Sequence, residues 1–236
     1  MRLKNLLQIQ NCQRYIRYAP NYLSGVAKAR TMWGDEMFFP FPEFRTIKDS
    51  GIIDHSGEIA LAAYLLEHIG PSDIFFDVGA NAGYFSVLAK HLGAKVHAFE
   101  PMPGTFKILL KNAGLHGFYA WNVAVAEHAD GLWMKKDSRG TGWSSIGPGG
   151  TVRVTGMALD EFPIVPTFIK IDVEGYQMPV LHGAKKLLAE HHPKVMIELD
   201  RNNMTGEEKE FLFTIGYSKM QLLGHPYSAN YLFEAK

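Results

Sequence analysis

Residues 74–83 read Ile-Phe-Phe-Asp-Val-Gly-Ala-Asn-Ala-Gly and run directly into the helix-length amphipathic segment Tyr84–Leu92. A short apolar run, a turn holding two glycines and an asparagine, and then a helix-period pattern together predict a strand, a tight turn and a helix. In a doubly wound sheet the ligand crevice lies outside the C-terminal ends of the strands, and the first strand-to-helix turn sits at its centre. Gly79 and Gly83 let the backbone approach a ligand closely, and Asn81 tolerates a left-handed turn. Taken alone, the same letters describe a plain tight turn equally well.

The surrounding chain repeats the pattern. Short β-branched and aromatic runs predict strands at 73–78, 95–100, 119–125, 167–172 and 194–199, with helices near 84–92, 105–113, 177–190 and 205–215. Strands alternating with amphipathic helices imply an α/β fold with a doubly wound, mostly parallel sheet. Between the third and fourth strands lies the Gly-rich stretch 140–150, flanked by runs 131–136 and 151–155 that read as hairpin strands. Residues 217–223 and 231–233 read as an antiparallel hairpin closing the sheet edge. Residues 1–72, punctuated by Pro20, Pro40 and Pro42, form an N-terminal helical cap belonging to the same domain as the catalytic unit 73–236. Within the cap, 56–69 puts Ile59, Ala62, Ala63, Leu66 and Ile69 on one helical face for packing against the sheet.

Composition excludes several functions. The 236 residues are 47% hydrophobic, and 24 Lys and Arg balance 24 Asp and Glu, a globular composition without the basic excess that nucleic acid binding rests on. The single cysteine, Cys12, suits a reducing cytoplasm, and no apolar stretch reaches membrane-spanning length. Arg2, Lys4, Arg14, Arg17, Lys28 and Arg30 precede the first acid, Asp35. A solvated face on a packed N-terminal helix is the main reading, and weak membrane-surface contact the second. The ten histidines show no compact ligand spacing, so zinc has no support.

Glu100 ends the second sheet strand seventeen residues after Gly83. A carboxylate there can accept both hydroxyls of a ribose. A dinucleotide site would want Gly-x-Gly-x-x-Gly, whereas here Gly-x-Asn-x-Gly follows the carboxylate of Asp77. Negative charge at that point repels pyrophosphate and suits the ammonium and sulfonium of S-adenosylmethionine. The run 170–175, Lys-Ile-Asp-Val-Glu-Gly, places Asp172 and Glu174 at the catalytic edge of the sheet, as candidate bases or helix-capping residues.

The segments 75–115, 122–125 and 168–184, in this order, resemble the FkbM family of S-adenosylmethionine-dependent methyltransferases. The resemblance implies a class I methyltransferase (Rossmann-like) fold and O-methylation of a sugar, glycan or secondary-metabolite hydroxyl. It further implies that Asp77, Gly79, Asn81 and Gly83 line the methionine part of the cofactor. Glu100 would bind the ribose, and Asn122, Val123 and Ala124 would lie near the adenine. Asp172 and Glu174 are the candidate catalytic residues. Gln177 stands where the family has Glu, and Pro179 and His182 also depart from its pattern. A weaker expectation groups Asp172, Glu198 and Asp200 as an all-oxygen magnesium site. A non-catalytic cofactor-binding or assembly subunit and a nucleotide-dependent oxidoreductase are the rival readings.

Overall fold

The computed structural model describes residues 25–31, 33–40, 56–135, 144–199, 206–223 and 230–236. A hairpin of β1 (Val26–Arg30) and β2 (Glu36–Pro40) comes first, followed by α1 (Ser56–His68). Then β3 (Ile74–Val78), α2 (Tyr84–His91), β4 (Lys95–Phe99), α3 (Pro103–His116) and β5 (Tyr119–Trp121) alternate. An insertion supplies β6 (Ala124–Val125), β7 (Gly131–Lys135), β8 (Ser145–Ile146) and β9 (Val152–Met157). A 3₁₀ turn (Leu159–Glu161) leads to β10 (Phe168–Ile171), α4 (Gln177–Gly183), α5 (Lys185–His191), β11 (Lys194–Glu198), α6 (Glu207–Thr214), β12 (Tyr217–Leu222) and β13 (Asn230–Ala235).

Seven strands form the central sheet in the order β12-β13-β11-β10-β3-β4-β5. Its five middle and edge strands from β11 to β5 run parallel, and β13 is antiparallel to both β11 and β12. The strand order reverses between β10 and β3, so the switch point lies where Val78 and Ile171 pair. Phe75, Phe76 and Val78 on β3, and Phe168, Ile169 and Ile171 on β10, are buried, as expected of strands covered on both faces. Pro103 opens α3, where its fixed φ and missing N–H are tolerated.

Four expectations change. The third predicted strand splits: β5 ends at Trp121, and Ala124–Val125 joins β9 in a separate four-stranded sheet. Asn122 makes the turn between them, donating from Nδ2 to the carbonyls of Glu100 (2.8 Å) and Pro101 (3.0 Å). The single helix expected over 177–190 breaks at Ala184, because a distant residue, Asp160, caps the second piece by accepting from the Lys186 and Leu187 N–H groups.

The cap is not purely helical, since residues 26–40 form an antiparallel hairpin. Lys28 lies on its strand β1 and pairs with Glu36 at 2.8 Å; Arg30 lies on the same strand. The other four basic residues of the N-terminal group lie outside the described residues. Asn112 fastens the hairpin to α3: its side chain accepts from the Phe38 N–H (2.7 Å) and donates to the carbonyls of Phe38 and Ala82. Finally, α1 buries Leu61, Ala62 and Leu65, and Ile69 just beyond it is buried too, while Ile59 and Leu66 are about half exposed, so its packed face is rotated from the predicted one. Met37, Phe39, Leu61 and Leu65 share one apolar cluster with Phe75 and Leu88.

Candidate active site

An open cleft lies at the switch point, outside the C-terminal ends of β3, β4 and β10. One side is the turn after β3, represented by Gly79 and Asn81; the floor includes Asp172, Val173 and Glu174; Met134, Ser144 and Ile146 from the inserted sheet form the opposite wall. From sequence, Trp133, Trp143 and the phenylalanines of 38–44 are candidates for stacking on a sugar; alternation along β7 turns Met134 inward and leaves Trp133 about half exposed, not among the residues lining the cleft. Trp143, Phe41 and Phe44, considered for the same role, lie outside the described residues; Phe39 is core, and Phe38 packs beside Lys28 and Lys111.

The left-handed geometry predicted for the first turn is present: φ is 80° at Gly79, 50° at Asn81 and 88° at Gly83. Its reasons differ from place to place. A Cβ on Gly79 would overlap the carbonyl oxygen of Asp172, so the missing side chain first serves the contact between two backbones. A Cβ on Gly83 would lie 2.7 Å from Leu109 Cδ1, and Gly83 faces α3 instead of lining the cleft. Glu174, at φ 36°, is a second non-glycine residue held left-handed on the cleft wall.

Glu100 is 7% exposed. Its Oε1 accepts from the Met102 N–H (2.8 Å) and its Oε2 from the Asn81 N–H (3.1 Å), which leaves other lone pairs free for ligand hydroxyls. Burial pushes its carboxyl up to about 7, against the opposing pull of the two backbone N–H groups.

Asp77 behaves differently from the expectation. Its carboxylate is 1% exposed and is turned below the cleft, where Oδ2 accepts from Ser86 Oγ at 2.6 Å. The Lys170 ammonium stands 3.6 Å from Oδ1, an ion-pair distance too long for a hydrogen bond. Burial raises the Asp77 carboxyl, and the Lys170 charge and the Ser86 hydroxyl oppose the rise. Lys170 is therefore the cation beside Asp77.

Lys170 also donates to Asp172 Oδ2 at 2.9 Å. The Asp172 side chain is 31% exposed and that of Lys170 is 4% exposed, so the acid reaches the cleft while the base lies beneath it. Burial works against charge on Asp172, but the Lys170 ammonium and hydrogen bonds from Glu198 and Lys170 hold its carboxyl below the usual carboxylate range. Lys170 was missed as a site residue, although a lysine within an apolar strand was legible: a buried ammonium needs a paired anion. Its charge also opposes magnesium. A divalent ion on Asp172 and Glu198 would sit next to the ammonium, and Asp200 lies outside the described residues. Val123 and Ala124 line the cleft, whereas the Asn122 amide is committed to backbone carbonyls.

The Methyltransferase FkbM domain family matches residues 77–224, well over half of the chain and all of the cleft-bearing strand ends. The chain belongs to the FkbM methyltransferase family. The FkbM-family chain is 52% identical over 48 residues to the 31-O-demethyl-FK506 methyltransferase FkbM of Streptomyces tacrolimicus, a match covering 20% of this chain and 18% of that one. It is 27% identical over 146 residues to the hexuronic acid methyltransferase AglP of Haloferax volcanii, covering 58% of this chain and 60% of that one. The chain thus spans less than two thirds of the length of either relative. The fold is similar to the crystal structure of methyltransferase FkbM from Methylobacillus flagellatus, with a TM-score of 0.54 and 18% identity over 71% of this chain and 44% of that one. Family and fold imply S-adenosylmethionine as the cofactor. Among the described residues, no helix is long and apolar enough to cross a membrane.

Proposed function

We propose that this FkbM-family chain transfers a methyl group from S-adenosylmethionine to a hydroxyl oxygen of a sugar, glycan or secondary metabolite, in the cytoplasm. The observation that carries the reading is the Asp172 carboxylate, paired with Lys170 and open to the same cleft that Glu100 lines. The names of the two relatives, one a 31-O-demethyl-FK506 methyltransferase and the other a hexuronic acid methyltransferase, support oxygen as the atom methylated.

When bound, the cofactor supplies an activated methyl group on a sulfonium. Glu100 would accept hydrogen bonds from the ribose hydroxyls, and Val123, Ala124 and Ile146 would lie near the adenine. The turn 79–81 backs the methionyl part. Glu174 would place negative charge toward the ligand's cationic groups. Asp172 would orient the acceptor oxygen toward that methyl group, and the cofactor would leave as the neutral thioether once its carbon–sulfur bond electrons returned to sulfur. The hydroxyl proton passes to the Asp172 carboxylate, so the charges balance. The protein's main contribution is orientation and exclusion of water.

Isothermal titration with S-adenosylmethionine, S-adenosylhomocysteine and NAD is expected to give binding of the first two alone. With radiolabelled methyl donor and a panel of neutral sugars, uronic acids and polyols, Asp172→Asn is expected to lower turnover by about 10²–10⁴-fold with cofactor affinity little changed. NAD binding in place of S-adenosylmethionine, or wild-type turnover in Asp172→Asn, overturns the reading.

A further inference from the structure

Cofactor binding draws on neither Lys170 nor Glu198, two ionisable side chains beside the cleft. On β10 all four residues, Phe168 to Ile171, are buried, yet the third is a lysine. Its ammonium lies 2.9 Å from Asp172 Oδ2 and 5.2 Å from the centre of the Phe85 ring, the latter a favourable position for a cation. The parallel register of β10 and β11 pairs Ile171 with Ile197. The next residues on the two strands, Asp172 and Glu198, therefore emerge side by side at the sheet's C-terminal edge, close enough for each carboxyl group to act on the other's charge. The Gln177 amide donates to the Glu198 carbonyl at 2.9 Å and holds that end of β11 against α4.

We propose that Lys170 and Glu198 are positioning residues that grip the Asp172 carboxylate from two sides and present its cleft-facing edge to the acceptor hydroxyl. The inference rests on Asp172 as the proton acceptor of the proposed methyl transfer. An unrestrained carboxylate can rotate and take water into its lone pairs, whereas one held by two donors keeps the remaining acceptor positions in a fixed direction.

The surrounding charges agree with one proton shared by the pair. Lys170 from β10, Asp77 from β3, Glu100 from the end of β4 and Glu174 from the turn after β10 all act on it. The Asp172 charge, then burial, raises the Glu198 carboxyl to about 9. At neutral pH Glu198 therefore carries the proton and donates it, and Asp172 is the ionised partner. Lys170 stays charged, because Asp172 and Asp77 more than offset the cost of its burial.

The experiment has two readouts on the full chain. In carbon-13 carboxyl NMR, resonances assigned by loss in Glu198→Gln and Asp172→Asn are expected to show Glu198 titrating near about 9, with Asp172 ionised throughout the neutral range. In Glu198→Gln, Asp172 is expected to stay ionised there, since the amide still donates. For any acceptor that the wild type methylates from the panel of neutral sugars, uronic acids and polyols, Glu198→Leu is expected to lower kcat by about 10–100-fold, with KM for S-adenosylmethionine within about twofold. Glu198→Gln is expected to restore kcat to within about threefold of wild type. A Glu198 that titrates in the ordinary carboxylate range, a Leu variant at wild-type kcat, or a Gln variant as slow as Leu overturns the proposal. Absence of S-adenosylmethionine binding by the wild-type chain would instead overturn the methyltransferase reading, and the NMR titration would still report whether the carboxyl pair exists.

Discussion

The carbonyl oxygen of Asp172 occupies the place where a side chain on Gly79 would begin, so the turn after β3 and the end of β10 meet backbone to backbone. Hydrogen bonds flank the contact, from the Asp172 N–H to the Val78 carbonyl and from the Gly79 N–H to the Phe99 carbonyl, both 3.0 Å. Gly79→Ala combines this overlap with a left-handed φ of 80° and is expected to cost more than about 2 kcal/mol of stability. Binding and folding should fall together in parallel urea denaturation and cofactor titration. Full stability with lost binding would show that the space at Gly79 belongs to the ligand instead.

Glu100 links cofactor affinity to pH. Ribose hydroxyls donate to the ionised carboxylate, whose pKa in the free protein is about 7. Binding therefore releases a proton near neutrality, and S-adenosylmethionine affinity is expected to rise with pH between 6 and 8, flagged by titration in buffers of different ionisation enthalpy at roughly these pH values. Glu100→Gln should weaken binding by about 1–3 kcal/mol, the scale of hydrogen bonds to a charged group, and abolish the pH dependence.

Lys170 carries the charge balance beneath the cleft. Lys170→Met leaves the Asp77 carboxylate buried without its cation and is expected to destabilise the fold by about 3–5 kcal/mol. Adding Asp77→Asn removes the orphaned charge, so the double variant should recover a large part of that loss in thermal or urea unfolding. Additive losses would mean that the two side chains are energetically independent.

Asn112 supports the hairpin rather than the chemistry. It is fully buried and makes three hydrogen bonds that join β2, the β3–α2 turn and α3. Asn112→Ala is expected to cost about 2–4 kcal/mol by leaving buried backbone groups unpaired. Limited proteolysis should then cut first within residues 25–40, and uniform protection there would argue against the clamp.

Strands β3, β4, β10 and β11 and the helices α2 and α3 were legible because each of these strands is a short apolar run closed by a glycine turn or a carboxylate. The motif at 77–83, the acid at Glu100 and the run 170–175 marked strand ends that line the cleft. Those signals are local: they follow from side-chain period and turn geometry within about ten residues.

Direction and partnership were not legible in this way. Asp77 and Asp172 both follow apolar runs, yet Asp77 lies level with Lys170, buried deeper along the strands beside Ser86, whereas Asp172 reaches the cleft, a difference set by the pairing of β3 with β10. Asp160 caps a helix 26 residues away, and Asn112 holds a strand 74 residues away, so neither role leaves a mark in its own neighbourhood. The Asp172–Glu198 pair depends on the register of two parallel strands, and its shared proton on the low-dielectric surroundings of the sheet edge. Local sequence carries propensity and pattern, whereas electrostatics and hydrogen bonding act across space, and only the folded chain brings those groups within reach of one another.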